Sequence, residues 1–450
     1  MSFTDLGFPF FLSAVLLLLR VLPRFRKPVL LLASCCFYAC AGPELLPLLL
    51  AVAFLSWLGA LRVEHAADPR QKRRRLILYA LLCLLPLFLF KYLDFALGWA
   101  VTVPSLPLPL GISFYTFQAL SYLFDVSRGH YPAERDPGYF LLYVAFFPQL
   151  VAGPIERTGD LLPQLKSAAL PTREEASLSV LRLLCGLVKK VFIADRLAVV
   201  VDAAYATGGT AGGASLLLAT LFFAVQIYCD FSGYSDIAVG AAGLMGIRLS
   251  ENFDRPWAAV SVRDFWRRWH RSLSRWLRDY LYIPLGGSRR GLLRECLCLV
   301  AVFLVSGLWH GAELSFVLWG LLHGLMMVAE TLLEKRLHIK PPRVLAVIGI
   351  LLAWVLFRAG DAGQALEVYR RMLFDFRPAE LLTGLELTLP QLLSLLVLPA
   401  LVPPLDRLAH ARRPFFGQGW LCLLLFLTAA AAWCLTFTEG GSAAFIYFRF

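Results

Sequence analysis

Long apolar runs recur from one end of this chain to the other, and they constrain its fold more than any other feature. Ile77–Leu97 (broken only by Lys91 and Asp94), Gly213–Tyr228, Leu299–Trp309, Val344–Phe357 and Trp420–Phe437 are examples. A helix crossing the hydrocarbon core of a bilayer needs about 20 mostly apolar residues, and in lipid only helices or closed barrels satisfy their own backbone. Such runs suffice for roughly ten to twelve crossings, some short enough to be re-entrant. Composition agrees: 59% of the 450 residues are hydrophobic and 16% are charged. That is too little polar surface for a water-soluble chain of this length. The expected class is all-α and polytopic.

The net charge of +12 would suggest nucleic acid in a soluble protein. Here the basic residues sit in loops between apolar runs, which is how a membrane protein is oriented. Arg20, Arg24, Arg26 and Lys27 follow the first run. Arg62 and the cluster Arg70, Lys72, Arg73, Arg74 and Arg75 follow the third. With positive loops inside, the N-terminus lies outside and the alternation holds for five segments, through the uncharged stretch Thr102–Pro109 and the charged loop Arg128–Asp136. The first apolar run precedes its basic cluster, the reverse of a signal peptide. No repeat and no long polar insertion interrupts the chain, so residues 1–450 are expected to form one membrane domain. The ten cysteines lie in or beside apolar stretches with no metal-ligand spacing, and are expected to be small buried residues.

One stretch, Asn252–Gly291, breaks the pattern. From Arg255 to Arg294 it holds ten arginines against two acids, Asp264 and Asp279, a net +8. Aromatic residues are interleaved. On an ideal helix over Asp264–Leu281, at about 100° per residue, Arg267, Arg271, Arg275 and Arg278 fall within roughly 80° of one another. Arg268 lies at the edge of that stripe. Trp266, Trp269, Leu273, Trp276, Leu277 and Tyr280 cover the opposite face, and His270 falls on the border. Asp264 is placed to start the helix just before Phe265. One reading is a surface helix, with tryptophans as anchors and arginines on lipid phosphate. The other is that the arginines receive an anionic cytosolic substrate, such as the phosphates of a coenzyme. Pro284-Leu285-Gly286-Gly287-Ser288 ends the helix, either as a plain turn or with backbone N–H groups bared to phosphate.

There are only seven histidines. His65, His130, His338 and His410 lie in polar loops and are expected to be solvated. His310 sits in LVSGLWHGAELSFVLWGLLHG, inside or at the end of a spanning helix, where an ionisable residue is costly. A neutral imidazole there can accept a proton from a hydroxyl or thiol. It can equally serve an interhelical hydrogen bond. Gly307 and Gly311 leave space for a ligand or for a packed helix. A structural role is expected for His323. Asp230 and Asp236, in YCDFSGYSDIAVG, and Arg358, at the end of LLAWVLFRAG, form a paired internal network or line a cavity. No G-x-S-x-G elbow, H-E-x-x-H helix or P-loop is present, which leaves histidine as the best candidate for chemistry.

In eight ordered blocks the sequence resembles the membrane-bound O-acyltransferase family. The blocks are PLGISFYTFQALSYLFDV (Pro109–Val126), FFPQLVAGPIER (Phe146–Arg157), YCDFSGYSDIAVG (Tyr228–Gly240), NFDRPW (Asn252–Trp257), RDFWRRWHRSLSRWLRDYLYIPLGG (Arg263–Gly287), LWHG (Leu308–Gly311), LFRA (Leu356–Ala359) and the terminal FIYFRF. The likeness is nearest to the branch containing the membrane subunit of bacterial alginate O-acetyltransferase. It implies about eleven spanning helices, with re-entrant and amphipathic pieces, around a central tunnel. The basic active region would be 252–291 and the intramembrane histidine segment 299–330.

The resemblance also implies roles. His310 matches the catalytic intramembrane histidine and His270 the second histidine of the active region. Arg267, Arg268, Arg271, Arg275, Arg278 and Trp269 would bind the acyl donor, acetyl-CoA or another acyl-CoA. Asp230, Ser235, Asp236, Asn252, Trp309 and Arg358 would line the tunnel or brace it. No metal and no bound cofactor are implied. The acyl group would pass from the cytosol across the plasma (inner) membrane to an exported polysaccharide. Since no serine nucleophile is present, an extracytoplasmic acetyltransferase of serine-hydrolase type is expected as partner, alongside membrane lipids and with no nucleic acid. The alternatives are D-alanyl transfer to teichoic acid, acylation of a lipid or protein, and, from another class, an anion transporter or channel.

Overall fold

The computed structural model describes residues 1–98, 107–151, 153–167, 169–206 and 211–411, with 424, 425 and 428. The run Trp420–Phe437 lies largely, and the terminal FIYFRF wholly, outside the described residues; so does most of Thr102–Pro109. Every regular element among the described residues is helical. Among the described residues six helices are long and apolar enough to cross a membrane: Pro43–Glu64, Pro69–Leu97, Gly213–Leu244, Leu292–His310, Leu314–Leu337 and Leu389–Ala409. The chain is a multi-pass membrane protein.

The chain divides into two compact units, Met1–Leu183 with Tyr234–Glu251 and Leu184–Gly233 with Asn252–Ala411. In the first, α1 (Gly7–Val21) and α2 (Arg26–Ala39) are bent by 114° at Pro23–Phe25. Each reaches only about 22 Å at 1.5 Å per residue, short of a core about 30 Å thick. They therefore make one broken span or a re-entrant loop, and the five-segment alternation loses its first step. α3 (Leu46–Glu64) follows, then α4 (Pro69–Leu87), whose N-terminus is capped by Asp68 accepting from Gln71 N–H at 2.8 Å. α5 (Ile112–Arg128) is buried along most of its 17 residues and faces protein more than lipid. Several charged groups of this unit are paired. Lys27 meets Asp136 at 2.6 Å, and Arg182 holds both Asp236 (3.0 Å) and Glu251 (2.5 Å).

The second unit carries the histidines of interest. α6 (Val262–Arg268) and α7 (Arg271–Leu277) are short and consecutive. α8 (Leu292–His310) and α9 (Leu314–Leu332) form a tight helical hairpin, followed by α10 (Arg343–Arg358) and α11 (Leu389–Ala409). The hairpin closes at glycines. A Cβ on Gly307 would lie 2.2 Å from the Phe316 carbonyl oxygen, and one on Gly320 2.3 Å from that of Phe303. Of the two uses expected for Gly307 and Gly311, close packing is the one observed, since a Cβ on Gly311 would lie 2.2 Å from the Phe316 ring. Of the eight described cysteines, Cys83, Cys185, Cys229 and Cys298 are buried, whereas Cys36 and Cys40 are exposed.

Candidate functional site

The arginine-rich stretch is not one helix. It begins at Val262, where Ser261 Oγ accepts from Asp264 N–H at 3.1 Å; Asp264, expected to start the helix, lies in its first turn and pairs with Arg268 at 2.9 Å. Buried Glu330, on α9, accepts from Val262 N–H at 2.9 Å and Arg263 N–H at 3.3 Å, a carboxylate at the positive end of α6. The helix then breaks. Trp269 is extended and His270 takes a left-handed φ of 42°, a conformation that costs a non-glycine residue energy unless its surroundings hold it.

Asn252 supplies that hold. Its main-chain oxygen accepts from Arg271 N–H at 2.9 Å. Its side-chain Oδ1 accepts from Ser272 N–H at 3.3 Å and Ser272 Oγ at 2.9 Å, and lies 3.1 Å from His270 Nδ1. These bonds replace the helical ones that the break removes. The chain resumes as α7, opens into a wide π-type turn over 278–282, and ends at Gly286 and Gly287, both at positive φ.

His310 is the last residue of α8 and is 3% exposed; His270 is 0% exposed. Their ring centroids are 6.5 Å apart. The cage around them is aromatic. Trp309 lies 4.9 Å from the His310 ring and 5.7 Å from that of His270. Trp319 and Phe357 approach His310 at 5.0 and 5.2 Å, and Phe231 stands edge-on to His270 at 4.7 Å. Burial pushes the His270 imidazole down to about 3, which keeps it neutral near pH 7.

Arg267, Arg271, Arg275 and Arg278 line one cleft of about 520 Å³ together with Arg263, so the break keeps the arginines of the stripe near one another; Trp266, Leu273 and Leu277, expected on the opposite face, line it too. Its other wall includes Phe303 and Ser306 of α8 and Met327 of α9. Ser306 stands one helical turn before His310, on the same face of α8. Its hydroxyl is buried and has no hydrogen-bond partner among the described residues. Arg268 and Trp269 lie elsewhere. Arg268 is held by Asp264, and Trp269 stacks on Phe265 at 5.4 Å beside a separate, apolar cavity of about 420 Å³.

Several of the remaining candidates are held in ion pairs. Asp230 pairs with Lys190 at 2.7 Å, and Arg358 with Asp202 at 2.6 Å. Ser235 and Asp236 lie in the first unit, both buried, and Asp236 is tied to Arg182. His323 is buried and accepts from Trp266 Nε1–H at 3.2 Å, the structural use expected of it. His65, His130, His338 and His410 are exposed, as expected.

An ionic cluster escaped the sequence reading. Lys189 meets Asp406 at 2.5 Å, and Asp406 also accepts from Tyr228 OH (2.8 Å) and Trp257 Nε1–H (2.9 Å). Lys190 meets both Asp195 and Asp230 at 2.7 Å. The signal was present as two lysines and an aspartate inside the apolar stretch GLVKKVFIAD. Among the described residues no group of three or more His, Cys, Asp or Glu could hold a metal ion.

A model of the membrane-bound O-acyltransferase family matches residues 50–357. A probable alginate O-acetylase of Azotobacter vinelandii is 38% identical over 412 residues, covering 88% of this chain and 81% of the relative. A peptidoglycan O-acetyltransferase of Helicobacter pylori is 36% identical, over 78% of this chain and 74% of the relative. A teichoic acid D-alanyltransferase of Bacillus subtilis is 28% identical, over 50% of this chain and 60% of the relative.

Proposed function

The chain belongs to the membrane-bound O-acyltransferase family, and from that premise we propose that it moves an acetyl group from cytosolic acetyl-CoA to the outer face of the plasma (inner) membrane for O-acetylation of an exported polysaccharide. It is an O-acyltransferase, which sets aside the anion transporter. The observation that carries the finer reading is the cleft lined by Arg267, Arg271, Arg275 and Arg278, with Arg263 beside them, whose far wall, at Ser306, lies one turn from His310. A guanidinium forks onto phosphate oxygens, and four along one cleft match a donor that carries several phosphates. The greater coverage and identity of the two O-acetyltransferase relatives favour acetyl over D-alanyl transfer.

In this reading Arg267, Arg271, Arg275 and Arg278 hold the coenzyme, with Arg268 and Trp269 acting through the shape of the segment. His310 removes the proton of the acceptor hydroxyl as its oxygen bonds the acyl carbon. The carbon–sulfur bond breaks and coenzyme A leaves as a thiolate that regains a proton. His270 orients or polarises the thioester end. The aromatic cage excludes water that would hydrolyse the thioester. The 450 residues act as one enzyme domain, with about eleven crossings around a tunnel. Asp230, Ser235, Asp236, Asn252, Trp309 and Arg358 brace or line it. With no serine nucleophile of its own, the enzyme hands the acetyl group to an extracytoplasmic partner that places it on the polymer.

The test is release of free coenzyme A by purified protein given labelled acetyl-CoA. Release that disappears in His310→Ala supports the reading; no release from the wild type, or equal release from both, rejects it.

A further inference from the structure

We propose that Asn252 is a positioning residue that sets the tautomer of His270, leaving that imidazole able to accept a proton but unable to donate one from Nε2. This rests on the active-site reading above for its rate measurement, though not for its structural one. The argument starts from the amide oxygen. Asn252 Oδ1 lies 3.3 Å from Ser272 N, and a main-chain N–H can only donate. The atom facing it must therefore be the carbonyl oxygen, since a rotated amide would set an NH2 group against an N–H. The same oxygen receives Ser272 Oγ–H at 2.9 Å.

An atom fixed as an acceptor imposes the opposite role on its remaining neighbour. His270 Nδ1, 3.1 Å away, must carry a proton and donate it. Burial keeps the ring neutral, so a single proton is available. With that proton on Nδ1, Nε2 bears the lone pair. Polarising a thioester carbonyl requires a donor, so that half of His270's expected role falls away. What remains is a base, or a hydrogen-bond acceptor that orients an N–H or O–H of the substrate.

The backbone supports the same assignment. The main-chain oxygen of Asn252 accepts from Arg271 N–H, so one residue grips the chain on both sides of the left-handed His270. Phe231 stands edge-on to the imidazole, and Trp309 packs against both it and His310. The ring is thus held in orientation as well as in tautomer, as a neighbouring hydrogen-bond partner does for a reactive histidine.

The test has two arms. In the first, wild-type protein is labelled with nitrogen-15 histidine, and the His270 signal is assigned by its loss in His270→Gln. The expected result is a protonated Nδ1 and an unprotonated Nε2; a protonated Nε2 overturns the proposal whatever the enzyme's substrate. In the second, coenzyme A release is followed with acetyl-CoA across pH. Asn252→Leu, which lacks the acceptor, is expected to lower kcat about 100-fold with KM little changed. Asn252→Asp keeps an acceptor of the same shape, now charged. It is expected to retain most of kcat and to move the acid limb of the pH profile upward, since a carboxylate makes the imidazole more basic. A rate in Asn252→Leu equal to wild type, or an Asn252→Asp profile superimposable on it, overturns the proposal. Wild-type protein that gives the expected tautomer but releases no coenzyme A separates failure of the acyl-transfer reading from failure of this one.

Discussion

Two clusters of ionisable groups are sunk in the second unit, and the protein treats them in opposite ways. Around Lys189 and Lys190 every buried charge meets an opposite charge: Asp406 for the first, Asp195 and Asp230 for the second, with Tyr228 and Trp257 completing Asp406. Around His270 and His310 most neighbours are rings, Trp309, Trp319, Phe357 and Phe231, and the polar group at His270 is the neutral amide of Asn252. A charge paired in a low-dielectric interior is held in place and its reactivity is quenched. A neutral imidazole walled by aromatic groups keeps a lone pair in a dry site. Burial therefore does not identify a reactive residue; the company it keeps does.

The sharpest way to break this contrast is to remove one residue from each side. His310→Ala should lower coenzyme A release by about 1000-fold, within the range attributed to a general base, with the melting temperature in detergent nearly unchanged. A large fall in melting temperature with residual activity would move His310 to the structural side. Lys189→Met should do the reverse. Stripping one partner from a buried pair costs about 3–5 kcal/mol. Thermal unfolding in detergent should show it, and the double change Lys189→Met with Asp406→Leu should recover much of the loss, because no lone charge is left buried.

The arginine cleft lies between these extremes, being charged yet open. Arg271→Ala should raise KM for acetyl-CoA about tenfold while leaving kcat close to wild type, the loss of one charge-assisted hydrogen bond. Arg268→Ala, whose guanidinium is held by Asp264, should change KM little. Equal effects from the two in steady-state kinetics would dissolve the distinction between them.

A further test concerns pH. Burial lowers the folded-state value of His270 from 6.5 to about 3. Below pH 6.5 the unfolded chain takes up a proton that the folded one refuses, so stability falls as the pH drops from there towards 3. His270→Gln should flatten that part of the curve when melting temperature is measured against pH.

Much of the site could be read in the sequence because scarcity marked it. Seven histidines in an apolar chain leave few candidates, and an arginine every three or four residues places a stripe on one side of any helical segment. The arginines stay together even though the helix did not form: Arg267, Arg271, Arg275 and Arg278 share a cleft across the break at Trp269–His270, but Trp266, Leu273 and Leu277 of the expected opposite face line it as well. Arg268, at the stripe's edge, and Trp269, opposite it, are not among its lining residues. The first crossings were misjudged for a related reason. Hydropathy records that α1 and α2 are apolar, but not that Pro23–Phe25 bends them by 114°.

The sequence by itself determined that this chain lies in membrane and that it is helical. Each of these follows from the cost of putting polar groups in lipid, and that cost is written residue by residue. Only the tertiary structure decided which charges are neutralised and how His270 is held. The partner of Lys189 is Asp406, and the atom that breaks the helix at His270 belongs to Asn252. Hydrogen bonds and ion pairs choose partners by distance in space, which no spacing along the chain encodes.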